Sequence, residues 1–244
     1  MDIPLYFYMA YRNLDRMSPG SDDTTMKAIE KIGIDSDGEL NILDIGCGVG
    51  SATVLLADRF KNSTVEAVDL FRHYLDVLDE RIEENNLNER VFSYKMDMRD
   101  LDFANGEFDI VFSEASIEII GFGEGLKEWK RLLKPNGYLV VSDLSWIRKP
   151  SSESVRFWKS IYDEVDTIEN KISQIADEGY EFIDYIIVPK EDWKGYHDKL
   201  ERNLNLLKSD KSAKTFVSQL KKQIDFYSKK GDEYSYVFYI MKEI

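Results

Sequence analysis

The stretch Leu43-Asp44-Ile45-Gly46-Cys47-Gly48-Val49-Gly50 constrains this chain more than any other. Asn41-Ile42-Leu43-Asp44-Ile45 is a short apolar run suited to a buried strand, and the glycines that follow stop it abruptly. Residues 51–60 then have room for about three helical turns. A strand, a bare turn and a helix in that order leave backbone N–H groups unshielded at a helix mouth. Such a turn lets a ligand come close to the backbone, and it sits at the carboxyl edge of a parallel sheet.

The rest of that sheet can be read along the chain. Thr64–Asp69, Val91–Lys95 and Phe108–Ser113 read as strands two to four, and residues 138–142, 181–188 and 236–241 as strands five to seven. Between them, Leu75, Leu78 and Ile82 mark one helix face, and Leu126, Trp129, Leu132 and Leu133 another that Pro135 ends. Ser151 or Ser152 can cap a helix bearing Val155, Trp158, Ile161 and Val165, and Thr167 can cap one bearing Ile168, Ile172 and Ile175. Strands separated by helices imply right-handed βαβ units and a doubly wound, mostly parallel α/β sheet with helices on both faces. Residues 190–232 form a helical insert between strands six and seven, with faces at Leu200, Leu204, Leu207 and at Val217, Leu220, Ile224. The expectation is one domain over 1–244: an N-terminal segment 1–20, a core from 21–188 and 233–244, and the insert.

Charge and cysteine usage narrow the function classes. With 46 acidic against 32 basic residues, the net charge of −14 disfavours a broad nucleic-acid surface. One cysteine, Cys47, permits no internal disulfide, and with only His73 and His197 beside it a zinc site of thiolates and imidazoles is nearly excluded. No apolar run approaches the ~20 residues of a membrane span, and Met1-Asp2-Ile3-Pro4 lacks a basic leader. A soluble, cytoplasmic protein is expected.

Two acids extend the glycine turn into a site. Asp69 ends the second strand, 19 residues after Gly50, where a carboxylate can accept both hydroxyls of a ribose or cap the helix near Phe71. Asp97 follows the third strand and can accept an adenine amino group, with Leu70 and Met98 flanking the ring; it is also a natural cap. Together with Phe108-Asp109-Ile110-Val111 and Leu132-Leu133-Lys134-Pro135-Asn136-Gly137-Tyr138-Leu139, these residues resemble the class I, seven-stranded S-adenosylmethionine-dependent methyltransferases of the type 11 or UbiE-like group. The resemblance covers about residues 21–188 plus the final strand.

The resemblance implies strand order 3-2-1-4-5-7-6 with the last strand antiparallel. It implies S-adenosyl-L-methionine as cofactor, S-adenosyl-L-homocysteine as product and a small-molecule acceptor. No nucleic acid, membrane or metal is expected, and a homo-oligomer is compatible with it. The turn Asp44, Gly46, Cys47, Gly48 would line the cofactor, with Gly46 and Gly48 against its methionine part. Asp69 would hold the ribose, Asp97 the adenine amino group, Leu70 and Met98 the ring, and Ser113-Glu114-Ala115 would border the methyl group. Glu114 is the candidate catalytic residue, as general base or as grip on a cationic acceptor; a contact to the cofactor's amino group is the plainer alternative. Glu114 and Asp143 together suggest a two-carboxylate metal site only weakly.

Other readings stay open. A nicotinamide oxidoreductase fingerprint, Gly-x-Gly-x-x-Gly, would need Gly where Ser51 stands. A cofactor-binding protein without transfer activity shares every motif above. The aromatic stretch Tyr6-Phe7-Tyr8-Met9-Ala10-Tyr11 reads as a lid or as a helix packed on the sheet. Trp146, Trp193, Tyr196 and His197 read as an aromatic wall for an acceptor or as the core of the insert.

Overall fold

The computed structural model describes residues 4–244, so the first three residues of the 1–20 segment, and the reading of Met1-Asp2-Ile3 as no leader, lie outside the described residues. The strand feeding the glycine turn, β1 (Asn41–Ile45), is buried in every residue after Asn41. It is covered on both edges by parallel neighbours, β2 (Thr64–Asp69) and β4 (Phe108–Ser113). Beyond them lie β3 (Val91–Lys95) and β5 (Leu133–Trp146), also parallel. The sheet continues with β8 (Tyr234–Glu243), antiparallel to β5, and β7 (Tyr180–Ile187), antiparallel to β8. The order is β3-β2-β1-β4-β5-β8-β7, the sequence expected. One strand is added: β6 (Asp166–Thr167) pairs with the end of β5, so the strands expected as sixth and seventh are the seventh and eighth.

Helices cover both faces, and the period of two along each strand divides the core between them. Ile42 joins Ile29, Leu56, Phe60 and Leu78 on the face of α2 (Asp22–Glu30), α3 (Ser51–Arg59) and α4 (Arg72–Glu84). Leu43, one residue on, joins Leu126, Trp129 and Ile175 on the face of α5 (Phe122–Lys130) and α7 (Ile168–Asp177). Ser151 and Thr167 accept a backbone N–H at the start of α6 (Ser152–Lys159) and α7, as the sequence suggested, and Ser21 does the same for α2.

Two helix ends differ from expectation. Leu132 and Leu133 do not lie on α5, which stops at Lys130. The Leu132 carbonyl accepts the N–H groups of Glu107 and Phe108, and that bond draws the segment into the sheet before Pro135 is reached. Ile161 and Val165 fall beyond α6, because the Val165 carbonyl is taken by the Trp146 indole in a loop.

The insert consists of α8 (Lys190–Leu206) and α9 (Lys214–Lys230). It buries Leu200, Leu204, Leu207, Ala213 and Val217 against Ala10 of α1 (Leu5–Tyr11), not against the sheet. The N-terminal segment and the insert, far apart in sequence, therefore form one cap over the carboxyl edge. Among the described residues no helix is long and apolar enough to cross a membrane.

Candidate functional site

Two adjoining cavities open under this cap. The first, of about 420 Å³, surrounds the glycine turn. The N–H groups of Gly46 and Cys47 both donate to the Val68 carbonyl, at 2.8 and 3.0 Å, which ties the turn to the end of β2. Gly46 has φ +72°, and a Cβ there would lie 2.4 Å from Ser116 Oγ, so the position admits only glycine. Asp69 accepts the Gly48 N–H at 3.0 Å on one oxygen and the Phe71 N–H at 2.9 Å on the other. It thus braces the turn into α4 and walls the cavity, and burial raises its pKa against the pull of those N–H groups.

Asp44, Cys47, Gly48, Leu70, Asp97 and Met98 line the same cavity. Asp44 is buried at the tip of β1, accepts Thr53 Oγ1 at 2.6 Å, and is pushed by burial up to about 7. Burial pushes the Cys47 thiol well above its ordinary range, which suits a small wall residue and not a nucleophile. Asp97 accepts the Arg99 N–H at 3.0 Å within its own loop. Ser113 does not line the cavity. It is fully buried with its hydroxyl 2.6 Å from Ser116 Oγ, and Ser116, which donates on to the Ile45 carbonyl at 3.0 Å, occupies the cavity surface in its place.

Glu114 lines the cavity with both oxygens engaged: Arg16 donates to one at 2.8 Å and Thr25 to the other at 2.9 Å. Burial raises its pKa while the Arg16 guanidinium pulls it down. Arg16 also binds Asp22 at 2.8 Å. In this arrangement Glu114 fastens the segment between α1 and α2, a strap across the cavity, to the sheet edge. The sequence reading missed Arg16 and Met17 of that strap, along with Phe71 and Tyr74. An isolated arginine in a loop carries no periodic signal, although Phe71 and Tyr74 stand beside Asp69 and were within reach of the motif.

The second cavity, of about 370 Å³, lies beneath the insert. It meets the first at a lip that both share, formed by Tyr11, Met17, Ser18, Ala115 and Ile119. Trp193, Tyr196 and His197 line it, as the sequence suggested, joined by Trp158, Tyr162 and Tyr236. Trp146 does not reach it, because its indole is bound to the Val165 carbonyl. Trp193 stacks on Tyr227 at 4.2 Å and donates to Ser235 Oγ at 2.8 Å. Burial lowers His197 to about 4, so it is neutral at ordinary pH.

Asp143 is fully buried behind Tyr162 of this half, accepting its OH at 3.1 Å and ion-paired with the equally buried Lys171. Glu114 has Arg16 and Asp143 has Lys171, so each carboxylate is met by its own cation. Among the described residues no three His, Cys, Asp or Glu side chains come together as a metal-ligand set.

The chain is similar to known proteins in sequence and fold. Residues 42–137 match the family described as a methyltransferase domain. The chain is 26% identical over 196 residues to an uncharacterized protein of Haemophilus influenzae, covering 70% of this chain and 77% of that one. It is 27% identical over 133 residues to the methyltransferase GfsG of Streptomyces halstedii, covering 54% of this chain and 47%, about half, of that relative's length. Among solved structures, a methyltransferase from Geobacter sulfurreducens in complex with S-adenosyl-L-homocysteine superposes with TM-score 0.85 at 15% identity, over 100% of this chain and 99% of that one.

Proposed function

For a chain that carries a class I, S-adenosylmethionine-dependent methyltransferase domain, we propose transfer of the cofactor's methyl group to a small-molecule acceptor held in the second cavity, in the cytoplasm. The observation that carries this reading is the shared lip: one cavity built on the glycine turn opens directly onto another built of aromatic side chains.

The first cavity fits the cofactor. Gly46 and Gly48 present bare backbone to its methionine part. Asp69 retains lone pairs for ribose hydroxyls beside the N–H groups of Gly48 and Phe71. Asp97 would accept the adenine amino group, and Leu70 and Met98 would flank the ring. Its sulfonium supplies a methyl group that needs no further activation.

The protein's remaining work is placement. The acceptor atom has to come within about 3 Å of the methyl carbon, in line with the bond that breaks. The strap, fastened by Arg16 to Glu114, closes the lip on one side, and the insert closes the other. Two ligands would thereby be brought edge to edge.

Calorimetry with S-adenosylmethionine on the wild type and on Asp69→Ala tests the first cavity. Loss of the ribose acceptor weakens binding by about tenfold or more. Equal affinities would overturn the assignment. A labelled-methyl screen across amines, phenols, quinones and thiols then identifies the acceptor class.

A further inference from the structure

The charge in the second cavity is one-sided. Among the described residues that line it, Glu118 is the one acid, and none is lysine or arginine. Glu118 lies in the single turn Ile117–Ile119 that follows β4, next to the shared lip. Its Oε1 accepts the Tyr236 hydroxyl of β8 at 2.8 Å, while Oε2 is buried without a hydrogen-bond partner. The groups around it are Asp143 of β5, Lys171 of α7, Tyr162 after α6 and His197 of α8. Lys171 is committed to Asp143, so with all three ionised this corner carries one uncompensated negative charge. The side chains of Trp158, Trp193 and Tyr196 also line this cavity.

A buried carboxylate without its cation, enclosed by aromatic rings, is costly when empty and well matched to a positive guest. An anionic acceptor meets repulsion from Glu118 and finds no lysine or arginine on the wall. Building on the methyl-transfer reading above, we propose that the second cavity takes an ammonium-bearing acceptor, and that Glu118 pairs with its charge and accepts the proton its nitrogen must lose. The N–H bond breaks and an O–H bond forms on Glu118, leaving the electron pair on nitrogen. That pair then bonds the methyl carbon while the pair of the broken C–S bond stays on sulfur. The proton on Glu118 passes to solvent, so one proton is released per methyl transferred.

Burial pushes Glu118 up to about 7, whereas His197, held near 4, is too weak a base for an alkylammonium. An ammonium binds the ionised carboxylate, so affinity rises as pH climbs through that value, until the amine itself loses its proton. Between pH 6 and pH 8 the ionised fraction of such a group grows about tenfold. His197 does not titrate there.

The test titrates the full chain, loaded with S-adenosylhomocysteine, with phenethylamine and with its neutral isostere 2-phenylethanol. The amine is expected to bind at least about tenfold tighter at pH 8. Its affinity should fall about tenfold at pH 6, while that of the alcohol stays level. Glu118→Gln, if it binds S-adenosylhomocysteine like the wild type, should lose both the preference and the pH slope. Tyr236→Phe keeps the carboxylate and should keep the preference, with the slope moved to higher pH. Equal affinity for the two probes, no binding of either, or a preference that survives Glu118→Gln would overturn the proposal. Failure to bind S-adenosylhomocysteine would instead overturn the reading it rests on, and this one with it.

Discussion

The two cavities share a lip but are built of different material. The first is made of backbone and strand tips: a glycine turn bonded to Val68, and Asp69 bonded to Gly48 and Phe71. Its parts come from the ends of β1, β2, β3 and β4, with the strap across them. The second is made of large side chains on α6, α8, β8 and the loops beside them. Backbone geometry tolerates almost no change at a given point, whereas a wall of side chains can be re-cut one residue at a time. On the proposed function, the first cavity would fix which cofactor is bound, and the second would leave the acceptor to be varied.

The largest effect that would sharpen this contrast comes from the buried pair behind the second cavity. Lys171→Met leaves Asp143 without its cation, and a loss of about 3–5 kcal/mol in urea unfolding is expected. Replacing both by apolar residues, Lys171→Met with Asp143→Leu, should restore most of it. If the single change costs nothing, the acceptor half is not held by this pair. Next comes Gly46→Ala, which forces a side chain into Ser116 at a left-handed φ. It should weaken cofactor binding by about thirtyfold or more, some 2 kcal/mol by calorimetry, and an unchanged affinity would break the claim that backbone builds this half. The smallest is Trp193→Phe, which removes the hydrogen bond to Ser235 and trims the aromatic wall. Acceptor turnover should fall by about fivefold, with cofactor affinity unchanged; a matched loss in both would show that the halves are not separable.

This contrast also governs how much could be read from the sequence. The turn after β1 is local: apolar strand, three glycines and a helix lie within twenty residues, and Asp69 follows at fixed spacing. The strand order came with the family resemblance. The two-residue β6 has no period to detect. Leu132 and Leu133 kept a helical spacing right up to Pro135, and only the long-range bonds to Glu107 and Phe108 drew them off the helix. Ser113 was placed on the cavity because it follows β4, yet its hydroxyl is turned inward to Ser116. Arg16 and Glu114 stand 98 residues apart, and nothing local in either announces the other. Glu118, Trp158 and Tyr236 each look like ordinary members of a turn, a helix and a strand until the fold brings them around one space.

The cap has a consequence for how the chain comes off the ribosome. Residues 5–18 are synthesised before the surface that α1 packs against, residues 200–217, which follows some 190 residues later. At roughly 5–20 residues per second that is a wait of about 10–40 s. During this interval Tyr6, Phe7 and Tyr11 have no α8 or α9 to lie on, while β1 to β4 can already pair. Until the insert is made, this aromatic segment stays uncovered in a nascent chain, and there a holding chaperone would matter.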